Sequence, residues 1–318
     1  MTSPVDEVLH LISNETAPIP VERLAVLSDP TLEEMNRIQA AWSNLSAERR
    51  HALIEELGQL ADLRYELLFE PINRMALADQ SAEVRRIAIR NLWECDKPDL
   101  VPSILDILEE DESLAVRAEA AKALGSFILQ GEMSELESSL LKQIEDSLLS
   151  AAQHSAPFLL RINALQSLGY SSRPEVIPLI RQAYISDNAD LARSAIIAIG
   201  RSADTMWRSE VMESLRHPDP EMRLEAVRAA GELELREATS DLLDLLQDSF
   251  QAIRHAAIWT LGQLGGAQAA DILASLLEES QDSDEVELIQ DALDHLAFLD
   301  GTRDFLMIIL DEDEDLER

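Results

Sequence analysis

Seven segments of the chain share one spacing of apolar residues. When the segments are aligned on a reference position, the residue before it and the residues three, four and seven places after it are always apolar. At 100° per residue, these four places lie on one face of a helix. The pattern predicts amphipathic helices at 84–93, 116–125, 160–169, 191–200, 222–231, 253–262 and 288–297. The reference positions are Arg85, Arg117, Arg161, Ala192, Arg223, Arg254 and Ile289.

Two small residues recur in the same alignment. The third residue after the reference position is alanine in all seven segments: Ala88, Ala120, Ala164, Ala195, Ala226, Ala257 and Ala292. Alanine there lets a neighbouring helix approach closely. The eighth residue is glycine in five segments: Gly125, Gly169, Gly200, Gly231 and Gly262. Glycine suits a left-handed helix end, so we expect the helices to stop at these glycines.

The segments recur at intervals of 32, 44, 31, 31, 31 and 35 residues. Second apolar helical segments lie between them, at 99–111, 175–187, 209–219, 237–249 and 268–280. A single helix pair cannot bury its apolar face, so stacked pairs are expected to form an all-α solenoid, or superhelix. The 44-residue interval leaves room for an enlarged repeat, in which 131–154 is predicted as one longer helix.

The repeat resembles the HEAT-like repeats of phycobilisome lyase subunits and many bacterial scaffold proteins. The segment DESLAVRAEAAKALG (111–125) carries the pattern of that family most closely, with its Asp, Val-Arg, Ala and Ala-Leu-Gly places filled. The resemblance covers about residues 69–300. It implies about seven HEAT-like helix pairs and is specific for the fold rather than for a function.

Arginine stands at the reference position in five segments, and an aspartate precedes several of these positions by six residues. HEAT-like proteins are known for a ladder of such pairs, so the resemblance implies that one fixes the stacking here. Arg193 is displaced by one place in its segment. The expected members are Asp79, Arg85, Asp111, Arg117, Arg161, Asp187, Arg193, Arg223, Asp248 and Arg254.

The two ends of the chain do not fit the repeat. Residues 1–68 are predicted to form an N-terminal helical cap, with two helices in 31–68 that are broken near residues 44–46. The predicted solenoid spans 69–303, and 304–318 is a C-terminal segment with an acidic tail. Solenoids need end caps because their terminal repeats lack a neighbour.

Charge and composition exclude several classes of function. The net charge of −35, from 61 acidic and 26 basic residues, repels phosphate backbones and anionic lipid, so we expect no nucleic-acid or membrane partner. The longest apolar run, FLMIIL (305–310), is far too short to span a bilayer. The single cysteine, Cys95, and the acidic N-terminus fit a cytoplasmic protein, which we expect to be a monomer.

The sequence predicts no catalytic, metal or cofactor site. None of the six histidines is followed by glutamate, and no His-x-x-x-His spacing occurs. Deoxyhypusine hydroxylase is a HEAT-like metalloenzyme whose iron site uses repeated His-Glu pairs, so its activity is not expected here. The phosphate loop, the nucleophile elbow and the dinucleotide-binding fingerprint are also missing from the sequence.

The outward face of the seven helices is the candidate binding surface, and the resemblance implies that it lines a concave side. This face mixes basic residues with Ile162, Ile197 and Leu224. Its candidate binding residues are Arg86, Arg90, Lys122, Arg193, Arg228, His255 and Trp259. Arginine and aromatic side chains are favoured as binding anchors, which indicates a groove for an acidic or amphipathic protein segment. The alternative is a solvated face whose charges pair with local Glu119 and Glu225.

A second candidate surface is the stretch 278–301, which holds nine acidic residues and no Lys or Arg. It is either a docking patch for a basic partner or a solubilising end. The predicted function is a non-catalytic scaffold that binds a partner protein or peptide. The alternative is a phycobilin lyase-like accessory or chaperone subunit, in which tetrapyrrole carboxylates would meet the basic residues.

Overall fold

A computed structural model describes residues 3–298, and every regular element in that range is a helix. The chain divides into two compact units between Ser171 and Ser172. Residues 3–68 belong to the first unit together with the first repeats, and the predicted cap boundary at residue 69 stays a prediction. The predicted C-terminal segment 304–318 and the end of the acidic stretch lie outside the described residues.

The first unit contains nine α-helices among its described residues. They are α1 (Pro4–Ile12), α2 (Leu32–Trp42), α3 (Ala47–Leu63), α4 (Glu70–Ala76), α5 (Ala82–Asn91), α6 (Val101–Glu110), α7 (Leu114–Glu132), α8 (Ser138–Ala151) and α9 (Phe158–Leu168). Short 3₁₀ helices occur at Val21–Leu27 and Pro98–Leu100. The two helices predicted in residues 31–68 are present as α2 and α3, and side chains of Thr31 and Ser46 cap their starts.

The second unit continues the alternation of helices. It contains α10 (Val176–Tyr184), α11 (Ala189–Arg201), α12 (Arg208–Ser214), α13 (Pro220–Glu232), α14 (Thr239–Leu245), α15 (Gln251–Leu264) and α16 (Ala267–Glu279). Residues 283–298 are also helical. Short 3₁₀ helices at Thr205–Trp207 and Arg236–Ala238 precede α12 and α14.

Stacking of like helices builds each unit. In the first unit α3, α5, α7 and α9 pack in sequence order, and in the second unit α11, α13 and α15 do the same. We call these the inner helices; from α5 onward, each packs against the partner helix that precedes it. The predicted fold class, an all-α solenoid of HEAT-like helix pairs, is confirmed. The seven repeated alanines are all buried.

The single helix predicted for 131–154 is present as α8, but it is shorter than predicted. Helix α7 runs past its glycine as far as Glu132, and α8 begins only at Ser138. Between them Ser134 adopts a left-handed conformation, with φ 64°. This turn brings α8 back against α7, which buries the apolar face of α8.

The expectation that the repeated glycines end their helices is also wrong. Gly125, Gly200, Gly231 and Gly262 lie inside α7, α11, α13 and α15, and none has a positive φ. A Cβ built on Gly262 would lie 2.9 Å from Cβ and 3.0 Å from Cα of Ala292. The glycine is therefore needed for the close approach of the next helix in the stack. The fifth, Gly169, follows α9 in a right-handed conformation.

Arginine side chains join consecutive repeats. Arg85 on α5 donates from Nε and Nη2 to the carboxylate of Asp111, at 2.7 and 2.8 Å, and from Nη1 to the backbone oxygen of Asp79, at 2.8 Å. Arg223 on α13 donates to the carboxylate of Asp248 at 2.9 and 3.2 Å. Each of these arginines thus holds the carboxylate of the following repeat and the backbone before its own helix.

The aspartates in these pairs also hold the turn before the next inner helix. Oδ1 of Asp111 accepts a hydrogen bond from the backbone N–H of Ser113 at 2.8 Å. Burial raises the pKa of Asp111, but the hydrogen bonds from Arg85 and Ser113 outweigh it, so the pKa lies below its ordinary value. The carboxylate is therefore charged at neutral pH although its side chain is buried.

One rung of the ladder is missing from the sequence prediction. Arg50 on α3 donates from Nε to Asp79 at 2.7 Å, and the indole of Trp42 donates to the same oxygen at 2.7 Å. Helix α3 is thus an inner helix stacked on α5. The signal was available, because Gly58 follows Arg50 by eight residues, but Leu53 replaces the repeated alanine.

Two expected members depart from the ladder. Arg193 pairs with Asp190 in its own helix, because its displacement by one place turns it toward the outward face. Asp187 is exposed, and Ala192 occupies the reference position of its segment.

The other expected arginines do not form the bidentate pair with an aspartate of the next repeat. Arg254 donates to the backbone oxygen of Asp248 at 3.0 Å, and its Nε lies 3.8 Å from Glu285. Arg117 donates to the backbone oxygen of Leu108 at 2.8 Å, and Nε of Arg161 is buried without a hydrogen-bond partner.

We expect Gly262→Ala to lower the free energy of unfolding by about 1–3 kcal/mol, because the added methyl group overpacks the contact with Ala292. An ordinary glycine-to-alanine change inside a helix instead stabilises it, by about 1 kcal/mol. Urea unfolding followed by circular dichroism measures the difference. Gly131→Ala is the control, because its methyl group meets only the end of the Leu141 side chain. A gain in stability for Gly262→Ala would contradict the close-packing role.

We expect Arg223→Met to cost about 3–5 kcal/mol of unfolding free energy, because it leaves the buried carboxylate of Asp248 unpaired. The side chain of Asp248 is only 7% exposed. The matched control is Arg208→Met, which removes an exposed ion pair with Glu237 and should cost less than about 1 kcal/mol. Equal losses for the two variants in urea unfolding would rule out a special role for the buried pair.

The cost of Arg85→Met should depend on pH. Because folding lowers the pKa of Asp111, its carboxylate stabilises the fold at pH values above the unfolded pKa of 3.8. This stabilisation is lost as the pH falls through the folded pKa. Without Arg85, Asp111 loses the hydrogen bonds and the charge that most lower its pKa, so the pKa rises and acid relieves the variant of a buried charge. The difference in unfolding free energy between native chain and variant should therefore be largest near pH 7 and shrink below about pH 4. A constant difference in urea unfolding across this range would refute the account.

Candidate binding surface

The outward face of the inner helices in the second unit forms two rows of side chains. One row consists of the fifth residue after each reference position, which is Ile197 on α11, Arg228 on α13 and Trp259 on α15. The first residue gives Arg193, Leu224 and His255 on the same helices. Because these helices stack in the same register, each row runs across the three repeats. We call the six residues the outward rows.

Trp259 is the largest apolar side chain in the outward rows. Its neighbours Ala257 and Ile258 are fully buried in the stack, whereas Trp259 is 50% exposed because its place on the helix points away from the buried face. Four residues earlier on the same face, Nε2 of His255 lies 3.4 Å from Nε2 of Gln251. A half-exposed indole on a rigid helix is suited to anchor a partner.

The arginines of the outward rows are paired with nearby carboxylates. Arg228 donates to Glu225 at 2.8 Å, and Arg193 pairs with Asp190 and lies 3.8 Å from Glu221. Burial raises the pKa of Glu225, although Arg228 and Arg193 act to lower it. The surface around Trp259 is therefore charge-compensated rather than basic.

The candidate residues of the first unit are paired in the same way. Arg86 bonds to Glu83 at 2.5 Å and lies 3.8 Å from Glu119, and Arg90 donates to Glu55 at 3.0 Å. Among the described residues, Lys122 is exposed and makes no such pair. Pairing with Glu119 and Glu225 was the alternative interpretation of this face, and both contacts are present. An electrostatic attraction for an acidic segment is correspondingly weakened.

The first unit also contains a cavity that the sequence analysis missed. Its volume is about 280 Å³, and it lies where α3, α4 and the end of α5 meet. Phe69, Asn91, the exposed Trp93 and Cys95 contribute to its wall. Nη2 of Arg74 lies 3.7 Å from the sulfur of Cys95. The sequence signal was weak, because these residues come from the irregular ends of helices rather than from the repeated face.

Two further properties concern residues 3–298 only. No group of three or more His, Cys, Asp or Glu side chains in this range is arranged to hold a metal ion. None of the described helices combines the length and the apolar character needed to span a lipid bilayer.

Several solved structures are similar to this chain. A chain from the CpcE–CpcF complex of phycocyanin lyase from Nostoc sp. is 20% identical, with a TM-score of 0.48, over 72% of this chain and 95% of that chain. Human deoxyhypusine hydroxylase is 18% identical, with a TM-score of 0.35, over 82% of this chain and 95% of that chain. A chain from a structure of Kap95p with RanGDP is 13% identical, with a TM-score of 0.50, over 93% of this chain and 46% of that chain. At such low identity, the similarity concerns the fold alone.

Sequence comparison supplies the family. No curated protein sequence matches this chain. The family profile for HEAT repeats, however, matches residues 71–155 and 209–294, which together make up more than half of the chain. The matched ranges contain helix pairs from both units, including five of the seven buried alanines and the Arg85–Asp111 and Arg223–Asp248 pairs. The chain therefore belongs to the HEAT repeat family.

Proposed function

We propose that this protein is a non-catalytic scaffold that binds a partner protein through the outward rows of α11, α13 and α15. The observation that carries the proposal is the half-exposed indole of Trp259 on a rigid inner helix. Neither the helix pattern nor the packing of the repeat requires tryptophan at this place, since the other segments carry Arg, Lys, Gln, Ile or Asp there. Binding would bury the indole and remove the cost of its exposure to water.

The proposed partner is an amphipathic segment with an apolar anchor. The arginines of the outward rows are already paired with Glu225, Asp190 and Glu221, so they attract an acidic ligand only weakly. An apolar side chain of the partner packed on Trp259, with polar groups toward Arg228 and Glu225, would match the surface. Such binding should depend only modestly on salt concentration.

We further propose that the protein acts as a cytoplasmic monomer. The net charge of −35 opposes self-association. The single cysteine is compatible with a reducing compartment.

The test is quantitative affinity capture from the native host with Trp259→Ala combined with Arg228→Glu. Loss of a binding anchor costs about 2 kcal/mol or more, so recovery of specific partners should fall by roughly 30-fold. The matched control is Trp93→Ala combined with Arg208→Glu, which removes an exposed tryptophan and reverses an equally exposed arginine elsewhere.

Partners that the native chain and the control capture, but the Trp259 variant does not, would support the proposed surface. Unchanged recovery by the Trp259 variant, in a protein with a native circular dichroism spectrum, would reject it.

A further inference from the structure

The cavity of the first unit lies beside several exposed apolar side chains. Its wall includes Leu68, which is 56% exposed, and Trp93, which is 63% exposed. Leu63 ends α3 and Tyr65 follows it on the way to this wall, and the side chains of both are almost fully exposed. Apolar side chains that are exposed beside a concavity are typical of interaction sites.

Hydrogen bonds hold the wall of this cavity in place before any partner binds. The backbone N–H of Leu68 donates to the hydroxyl of Ser28 at 2.8 Å, and its carbonyl oxygen accepts from the N–H of Asp29 at 2.8 Å. Elsewhere in the wall, Nδ2 of Asn91 donates to the backbone oxygen of Ile54 at 2.8 Å. A preformed wall loses little conformational entropy when a ligand binds, so the cavity is ready to accept one.

The size of the cavity limits what it can hold. Its volume is about 280 Å³, whereas pockets that enclose a drug-sized ligand measure about 300–1,000 Å³. The cavity therefore suits one large side chain of a partner rather than a whole cofactor. The apolar part of its wall also includes Gly58, Ala61, Leu67, Phe69 and Leu92. An aromatic or large aliphatic side chain matches this lining.

The basic side chains near the cavity are already paired. Arg90 in the wall pairs with Glu55 at 3.0 Å. Glu70, also in the wall, pairs with Arg74 at 2.8 Å and with Lys97 at 2.7 Å. These charges compensate one another, so the basic groups offer little attraction to an acidic ligand.

Two acidic side chains of the wall, Asp62 and Glu94, have no such partner. Both are exposed, and neither forms an ion pair with any residue that the structure describes. Trp93 directly precedes Glu94, and the face of an exposed indole also attracts cations. The surface around the cavity is therefore complementary to positive charge next to an apolar group.

We propose that this cavity is a second docking site, separate from the outward rows, for a basic segment of a partner protein. An aromatic or large aliphatic side chain of that segment enters the cavity and packs against Phe69 and Trp93. Lys or Arg side chains on either side of it lie near Asp62 and Glu94. The buried apolar area supplies affinity, and the charges set the preference for a basic sequence.

The single cysteine of the chain reports occupancy of this cavity, because Cys95 lies in its wall and is partly exposed. The test measures the rate at which N-ethylmaleimide alkylates Cys95 in the full chain, with and without the synthetic peptide Lys-Arg-Phe-Arg-Lys. The bound peptide covers the thiol, so we expect the rate to fall in proportion to the occupied fraction. The peptide Lys-Arg-Gly-Arg-Lys has the same charge without the apolar anchor and should leave the rate unchanged.

Variants of the full chain separate the apolar and the charged parts of the site. Trp93→Ala should raise the peptide concentration for half-maximal protection by roughly 30-fold, the effect of losing a binding anchor. Asp62→Asn combined with Glu94→Gln should raise it by about fivefold, because two exposed ion pairs with the peptide are lost. The matched control is Asp106→Asn combined with Glu110→Gln, which removes two exposed charges of α6 that are not part of the wall. It should leave protection unchanged.

The proposal fails if Lys-Arg-Phe-Arg-Lys does not slow the alkylation of Cys95. It fails equally if Lys-Arg-Gly-Arg-Lys protects as well, which nonspecific attraction to an acidic chain predicts, or if the α6 control loses as much protection as the variant of Asp62 and Glu94. Trp259→Ala should bind the peptide as the native chain does, and a loss of protection in that variant would overturn the separate site. The proposals for the cavity and for the outward rows can thus fail independently.

Discussion

The bidentate bond between an arginine of one repeat and the buried aspartate of the next is the interaction on which the stack depends. Arg85 with Asp111 and Arg223 with Asp248 each join two neighbouring inner helices through two nearly parallel hydrogen bonds. A buried charge tolerates little displacement of its partner, because breaking the pair leaves it uncompensated. Sliding or rotating one repeat against the next would break the bond, so the pair fixes register more than it adds net stability.

The arginine–aspartate bond between repeats requires the inner helices to approach closely. The buried alanines and the glycines five residues after them remove side-chain volume where neighbouring helices cross. The arginine can then reach over the contact to the next repeat while its Nη1 stays tied to the backbone before its own helix. Small residues set the distance between repeats, and the arginine sets their alignment. The outward face sets neither the distance between repeats nor their alignment, so its residues are free to vary.

The sequence predicted the helices and the buried columns well, because both follow from the 3.6-residue period. It did not predict the part played by the glycines, since a glycine that ends a helix and a glycine that admits a neighbour look alike in one sequence. The sequence also left open which residue Arg254 contacts, because Asp248 precedes the helix of Arg254 whereas Glu285 belongs to the next repeat. Arg50 was missed because Leu53 breaks the alanine column. These are contacts between repeats, and spacing within a repeat does not report them.

The same limit explains the candidate surface. Counting basic residues on the outward face suggested a site for an acidic ligand, but in a chain with 61 acidic and 26 basic residues most arginines find a carboxylate within reach. Arg228, Arg193, Arg86 and Arg90 all do so. Charge therefore contributes little to recognition on this face, and specificity must come from features that ion pairing does not neutralise. On the outward rows that is the exposed apolar area of Trp259.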